Sequence, residues 1–198
     1  MADIDTAKVI EELKSFPSFL RNFILKPVKE MRSIPNYSWP TLLVIQLCFS
    51  LISGVLTGLL EMSIFATISG AILLPIVAII SSLLFTLFIY YFFYLFLSTE
   101  LPFERLLAII IIANIPFLLF HIGSGLLPLI DLLGYAFSSM LLIVGLVETF
   151  GLPKKFVARL ILGIYVVFLV SWLINNVSGL QTPKPQPKLL DHIESEMN

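Results

Sequence analysis

The residues best suited to chemistry lie in one short segment, where His121 precedes the sequence Gly123-Ser124-Gly125. A serine and a histidine in an apolar chain suggest an intramembrane serine protease. In that chemistry, however, the histidine comes from another helix and is held in a defined hydrogen bond to the serine. The only histidines here are His121, in the same segment as Ser124, and His192 near the C-terminal end. A glycine-rich turn therefore explains the segment better than a nucleophile does.

No other group of residues has the spacing of a metal or cofactor site. Glu100 and Glu104 do not indicate a membrane metalloprotease, because no span carries an adjacent pair of glutamates and no further histidines are available for zinc. Pro102 and Glu104 are instead typical of a helix start. Cys48 is the single cysteine and cannot form an intramolecular disulfide. We therefore expect no catalytic residue, no bound cofactor and no metal.

A polar path across the membrane is the remaining chemical possibility. Asn114 lies in the middle of an apolar run, two residues before Pro116, which has no N–H to donate and so leaves a backbone carbonyl without its helical partner. Together with Asp131 and Glu148, these residues could line the path of a small transporter or channel. The alternative is a proline kink accommodated by a neighbouring helix, with the two carboxylates near the water interface.

The composition indicates whether the chain lies in water or in lipid. The chain has 198 residues, of which 58% are hydrophobic and 13% are charged, and its mean hydropathy is +1.00. Soluble domains contain about 25% charged residues, so a water-soluble protein is excluded. The formal net charge of −1 also excludes the global basic field that nucleic-acid binding requires. The composition therefore indicates an integral membrane protein.

Five apolar runs are long enough to cross about 30 Å of hydrocarbon as helices. The predicted spans are residues 41–60, 72–98, 106–122, 126–147 and 156–174. They predict an all-α fold, namely a polytopic membrane protein with a bundle of five transmembrane helices preceded by amphipathic interfacial helices. The domains follow as 1–36, an amphipathic N-terminal region; 37–176, the five-helix membrane domain; and 177–198, a disordered tail that begins with alternating prolines.

The lysine and arginine residues predict the orientation of the bundle. With five crossings and a cytoplasmic N-terminus, ten of the twelve basic residues lie on the cytoplasmic side, as positive-inside topology requires. The C-terminus then lies on the far side. This pattern, with bare connections between spans, suits a multi-pass protein of the bacterial inner membrane.

The N-terminal region predicts a surface for lipid headgroups. Its apolar residues recur at spacings of three and four, which describes an amphipathic helix or two helices broken at Pro17. Such a helix can lie on the inner leaflet with its basic residues toward anionic headgroups, or it can pack against its own bundle. The two arrangements are compatible. The candidate membrane-surface basic residues are Lys14, Arg21, Lys26, Lys29 and Arg32.

Small residues predict where helices approach one another closely. Ser50, Gly54 and Gly58 recur every four residues on one face of the first span. Because lipid provides no hydrophobic drive between helices, such small faces allow the close packing that holds membrane helices together. Gly134 and Gly163 offer similar surfaces in the fourth and fifth spans. The partner helix can belong to the same chain, which is the default, or to a second copy.

The order of these features resembles that of the Yip-domain family of small integral membrane proteins, and in particular a compact bacterial member. The resemblance covers about residues 27–174. It is carried by Lys26-Pro27-Val28-Lys29-Glu30, Trp39-Pro40, Leu101-Pro102-Phe103-Glu104-Arg105, Ile115-Pro116-Phe117, Leu127-Pro128-Leu129, Gly145-Leu146 and Gly151-Leu152-Pro153-Lys154-Lys155.

The resemblance implies five transmembrane helices, a cytoplasmic N-terminus and a short tail on the far side. Eukaryotic members of that family bind small GTPases through the N-terminal region, which is short for this role here, so GTPase binding is not carried over. From the residues we expect a non-enzymatic protein that organises membrane partners or lipids through its N-terminal helices and small-residue faces. The alternative is the transporter or channel described above. The expected partners are the lipid bilayer and, beyond it, other membrane proteins or a second copy, with no nucleic acid.

Overall fold

The residues that the structure describes form a bundle of seven helices. The computed structural model describes residues 6–127 and 129–181, with side chains through residue 174, and these ranges contain no strand. The helices are α1 (Thr6–Leu25), α2 (Pro27–Arg32), α3 (Trp39–Leu60), α4 (Ile64–Leu97), α5 (Phe103–His121), α6 (Leu129–Phe150) and α7 (Lys154–Gln181), with a short 3-10 turn at Ile122–Gly125.

The five predicted membrane spans are confirmed as α3 to α7, which are long and apolar enough to cross a bilayer. Two boundaries differ from the prediction by more than three residues. α4 starts at Ile64 rather than at residue 72, because the Ser63 hydroxyl oxygen caps the helix by accepting from the Ala66 N–H at 3.2 Å, and Gly70 lies within α4 against Gly54. α7 continues to Gln181, so the start of the predicted disordered tail is helical, and residues 182–198 lie outside the described residues. With 34 residues, α4 is about 51 Å long and must tilt or protrude.

α5 is the central helix of the bundle. Every side chain from Leu106 to Ala113 is buried, and Ile109, Ile111 and Ile112 have no exposed surface. α5 packs against α2, α3, α4 and α6. α7, in contrast, packs only against α6 in the described backbone and is exposed along most of its length. A helix that is apolar on all sides is expected to be either buried in protein or surrounded by lipid. α5 is the buried case and α7 is the lipid-exposed case.

The small-residue face of α3 packs inside the chain, against α4. A Cβ atom added to Gly54 would overlap the carbonyl oxygen of Gly70, and one added to Gly58 would overlap the backbone of Ala66 and Thr67. Ser50, on the same face, is fully buried. The α3–α4 contact is thus a backbone-to-backbone contact of the kind that only glycine permits. This face is therefore not available for assembly with a second copy.

The two other predicted packing glycines have opposite surroundings. A Cβ atom on Gly134 would lie 2.9 Å from the Cβ of Phe120, so α6 and α5 also meet closely within the chain. Gly163 in α7 is exposed, and a Cβ atom there would meet nothing within 4 Å. Packing therefore constrains Gly134 and leaves Gly163 unconstrained.

We predict that Gly54→Ala destabilises the protein while Gly163→Ala does not. The added methyl at residue 54 forces the backbones of α3 and α4 apart, and overpacking of this kind costs about 1–3 kcal/mol. The same change at residue 163 meets open space, and alanine is a better helix former than glycine by about 0.8–1.0 kcal/mol. Thermal unfolding in detergent measures both changes, and equal melting temperatures for the two variants would contradict the assigned packing.

The N-terminal helix α1 docks on its own bundle through an aromatic cluster. Phe16 contacts Tyr37 and Phe49, with ring centroids 6.0 Å and 6.1 Å away, and Phe19 lies 6.0 Å from Tyr37. Of the two predicted positions for this helix, the structure has the one packed against the bundle. α1 still exposes Ile10, Ile24 and Leu25, so contact with lipid remains compatible with this position.

A carboxylate fixes α1 to the first turn of α3. Oε2 of Glu12 accepts hydrogen bonds from the Ser38 backbone N–H at 2.9 Å, the Ser38 hydroxyl at 2.7 Å and the Thr41 hydroxyl at 2.5 Å. Its negative charge also lies at the helix N-terminus, where the helix dipole favours it. Partial burial acts to raise the pKa of Glu12, but the hydrogen bonds from Thr41 and Ser38 outweigh it and leave the pKa below its ordinary value of 4.5.

We predict that Glu12→Ala releases α1, whereas Glu11→Ala does not. Hydrogen bonds to a charged group contribute about 1.5–3 kcal/mol, so undocking should become at least about tenfold more frequent. Trypsin cleavage at Lys14 and Arg21 in detergent measures this release. Glu11 is the matched control, because it is exposed and its loss removes the same charge.

The same contact has a defined pH dependence. Since the pKa of Glu12 is lower in the docked state than in the released state, ionised Glu12 favours docking. Its contribution is therefore complete above pH 4.5 and is lost as the pH falls through the lowered value. Equal cleavage of the wild type and Glu12→Ala near pH 7 would show that this carboxylate does not hold α1.

Candidate functional site: a cleft between α4 and α7

The main candidate site is a cavity of ≈ 790 Å³ lined by α4, α5, α6 and α7. Its walls are mostly apolar side chains, and polar groups are few. Ligand sites commonly combine an apolar wall with a small number of polar groups in this way. The polar or amphipathic lining residues are Ser81, Ser82, Asn114, His121, Asp131, Tyr135, Ser138, Ser139, Tyr165 and Trp172.

The cavity opens sideways between α4 and α7. Within the described residues, no Cα atom of α4 lies within 8 Å of one in α7. The two helices meet where Phe156 contacts Phe92 and Phe93, with ring centroids 5.8 Å and 6.0 Å apart. Val77 and Leu84 line the cavity and are nevertheless 59% and 61% exposed. The cavity is therefore a cleft, closed at one end by aromatic rings and open toward the surroundings of the bundle.

A hydrogen-bonded cluster lies at the other end of the cleft, where α5 ends and α6 begins. Nδ1 of His121 lies 2.9 Å from Oδ1 of Asp131 and 3.2 Å from the hydroxyl oxygen of Ser124. The Ser124 hydroxyl donates to the carbonyl oxygen of His121 at 2.7 Å. In a catalytic triad the aspartate and the serine bind different nitrogens of the histidine. Here both face Nδ1, so the cluster lacks the geometry that activates a serine.

The middle of the cleft contains the part of α5 around Pro116. Pro116 has no N–H, and the N–H of the next residue, Phe117, donates to the Ser138 hydroxyl oxygen of α6 at 3.2 Å. Asn114 lines the cleft one turn earlier. Beyond the kink, two hydroxyls of α3 donate to carbonyls at the end of α5, Ser53 to Leu118 at 2.7 Å and Thr57 to His121 at 3.0 Å. Hydroxyls of the neighbouring helices α3 and α6 thus bind backbone groups of α5 on the C-terminal side of Pro116.

We predict that Ser138→Ala destabilises the bundle and that Ser139→Ala does not. Loss of the hydroxyl leaves the N–H of Phe117 without its acceptor at a site that lipid surrounds, at a cost of about 1 kcal/mol. Ser139 is the next residue and lines the same cleft, which makes it the matched control. Thermal unfolding in detergent measures the difference, and identical melting curves would contradict the role of Ser138 as the acceptor.

The predicted polar path is only partly assembled. Asn114 and Asp131 line the cleft and Pro116 lies within α5, two residues after Asn114, but Glu148 lies elsewhere. Oε1 of Glu148 is 3.4 Å from Nη2 of Arg32, in an exposed ion pair between α6 and α2. Glu148 therefore does not line the cleft, because α6 carries it to the end of the bundle where α2 packs.

The candidate membrane-surface residues are all exposed. Lys14 and Arg21 lie on α1, while Lys26, Lys29 and Arg32 surround a second, smaller cavity of ≈ 340 Å³ beside α2. α2 itself is fixed, because Met31 is fully buried and packs against Gly145. Arg105 of α5 holds the connection that follows, with Nη1 donating to the carbonyl of Ile34 at 2.6 Å. Among the described residues, no group of three or more histidine, cysteine, aspartate or glutamate side chains could hold a metal ion.

Three features of the site could not be found from residue types alone. The contact of Glu12 with α3, the hydroxyls of Ser53 and Thr57 and the buried amide of Gln46 carry no sequence motif. Gln46 is 1% exposed, and its side-chain nitrogen and oxygen have no hydrogen-bond partner among the described residues. Nothing in the described packing explains this amide.

Comparison with known families identifies the membrane domain. The family model of the Yip1 domain matches residues 21–175. The chain belongs to the Yip1 domain family. The match includes the last turn of α1, all of α2 and α3 to α6, and α7 as far as residue 175, whereas the docking residues Glu12, Phe16 and Phe19 precede it. Searches of curated proteins and of solved structures gave no match. This Yip1-domain chain is a multi-pass membrane protein that lies in the lipid bilayer.

Proposed function

We propose that this Yip1-domain protein is a non-enzymatic membrane protein that binds and organises lipids, and that the cleft between α4 and α7 holds a lipid molecule. The observation that carries the proposal is the sideways opening of the cleft between two exposed, membrane-spanning helices. Acyl chains surround such an opening and match its apolar wall. A lipid that enters the cleft can contact both α4 and α7 where these two helices do not contact each other.

The polar residues of the cleft support an amphiphile as the ligand. Asn114, Ser138 and Ser139 lie midway, and the His121–Asp131 cluster lies at the end away from Phe156. An acyl chain can rest against the aromatic side chains while a small hydrogen-bonding headgroup reaches the cluster. The mixed donors and acceptors suit a hydrogen-bonding headgroup better than a strongly anionic one.

The remaining surfaces favour lipids over protein partners. The small-residue faces of α3 and α6 are occupied by packing inside the chain, so they give no support to self-association. The N-terminal helices expose basic side chains together with Ile24, Leu25 and Val28, a combination suited to a lipid surface. The distribution of lysine and arginine supports a cytoplasmic N-terminus, a far-side C-terminus and a bacterial inner membrane.

We predict that a photoactivatable phosphatidylcholine, with the reactive group in its acyl chain, labels the cleft of the protein in nanodiscs. Mapping by mass spectrometry should place the labels on cleft residues of α4 and α7, such as Phe88 and Phe168. Ser81→Phe places a ring at the cleft mouth and should reduce this labelling about tenfold, since displacing two CH₂ groups from contact removes about 1.6 kcal/mol. Ala78→Phe fills the interior and should have the same effect.

Ile80→Phe is the matched control, because Ile80 is exposed on the same helix and does not line the cleft. Labels spread evenly over the outer faces of α4 and α7, or an equal loss in Ile80→Phe, would overturn lipid binding in the cleft. The second candidate, a transporter or channel, draws support from the presence of Asn114 and Asp131 in one cleft. A flux of ions or metabolites into reconstituted liposomes that Asn114→Leu abolishes would favour transport over our proposal.

A further inference from the structure

A second cavity, shallow and open to the surroundings, is lined by three basic side chains and stands apart from the cleft. It measures ≈ 340 Å³ and is bounded by Lys26, Pro27, Val28, Lys29 and Arg32, at the junction of α1 and α2. We propose that Lys26, Lys29 and Arg32 form a binding site for the phosphate group of an anionic phospholipid. This site is independent of the lipid cleft, shares no residue with it and would lie in the opposite half of the bundle from His121.

The charge of the cavity is only partly compensated. Within the described residues, Lys26 and Lys29 form no ion pair, and Arg32 has one carboxylate partner, Glu148, at 3.4 Å. Glu30 lies on α2 but does not line the cavity. Two ammonium groups and one guanidinium around one small space provide the hydrogen-bond donors and the positive charge that a phosphate oxygen requires.

The backbone that carries these side chains is held firmly in place. Met31 projects from α2 into the core, where a Cβ atom on Gly145 would lie 2.7 Å from its Cε. The carbonyl oxygens of Ile34 and Pro35 and the side chain of Asn36 all accept hydrogen bonds from Arg105 Nη1. The helix that presents Lys29 and Arg32 is therefore fixed to α5 and α6. The backbone positions of these cations are therefore set before a ligand binds, which lowers the entropy cost of binding.

The position of the cavity favours a lipid over a soluble anion. It lies at the end of the bundle where α3, α5 and α7 begin, and exposed Ile24, Leu25 and Val28 adjoin it. Trp39, also exposed, follows at the first turn of α3, and tryptophan is enriched at the membrane interface. Cations at headgroup depth beside apolar side chains can bind the phosphate and the first part of the acyl chains of one molecule.

Arg32 can exchange its partner. Its ion pair with Glu148 joins two exposed side chains, and such pairs contribute about 0–1 kcal/mol. A phosphate near Lys26 and Lys29 can therefore draw Arg32 from Glu148 at little cost. A variant that removes the Glu148 carboxylate should therefore bind the phosphate more tightly. A variant that merely loses structure would bind it more weakly.

Native mass spectrometry of the full chain in zwitterionic detergent tests the proposal, with short-chain phosphatidylglycerol as the probe. The double variant Lys26→Gln and Lys29→Gln should weaken binding by about twenty- to thirtyfold, since each basic residue near the surface contributes about fivefold. Glu148→Gln should strengthen binding about two- to fivefold by releasing Arg32. Lys14→Gln with Arg21→Gln is the matched control, because these residues are exposed on α1 and do not line the cavity.

Three results would overturn the proposal. The control pair could weaken binding as much as the cavity pair, which would show general surface attraction. Phosphatidylcholine of the same chain length could bind as tightly as phosphatidylglycerol, which would show that the chains alone drive binding. Inorganic phosphate could bind as tightly as the lipid, which would identify a free phosphate as the ligand. All variants are compared only where the thermal unfolding of the protein is unchanged.

Discussion

The bundle depends on how the backbone of α5 is bonded where no water is available. A helix inside hydrocarbon must pair every N–H and carbonyl, and Pro116 together with the helix end at His121 leaves several groups without helical partners. Ser138 accepts from the N–H of Phe117, while Ser53 and Thr57 donate to carbonyls of the last turn. These bonds join α5 to α6 on one side and to α3 on the other. They fix the positions of the helices that form the back of the cleft.

The same constraint explains why α3 has a face of small and hydroxylated residues. For Ser53 and Thr57 to reach α5, α3 must lie close to it, while Gly54 and Gly58 on an adjoining part of the helix admit the backbone of α4. α3, α4 and α5 are thereby held as one unit. α7 has no comparable set of contacts and is held by α6 and by the ring contacts of Phe156. The cleft exists because no close backbone packing or hydroxyl hydrogen bond draws α7 against α4 in the described part of the chain.

The sequence alone predicted the class of fold and the five spans, because both follow from local patterns of hydropathy. The small residues of α3 indicated close packing but could not identify α4 as the partner. The start of α4 was missed because Gly70 looks like a helix end until Gly54 is placed against it. The contact of Glu12 with Ser38 and Thr41 joins residues far apart in the chain and has no local pattern.

The hydrogen-bonding groups and the clustered cations lie at opposite ends of the bundle. Neutral and hydrogen-bonding groups, with the His121–Asp131 pair, lie in the cleft where α5 ends. The clustered cations lie beside α2, where α5 begins, and are joined to the bundle through Met31, Arg105 and the Glu148 ion pair. α5 connects these two regions through an unbroken run of buried side chains from Leu106 to Ala113. Because Leu106 and Ile109 have no exposed surface, a displacement of α2 cannot be absorbed by loose packing at this end and must be shared with α5 and α6.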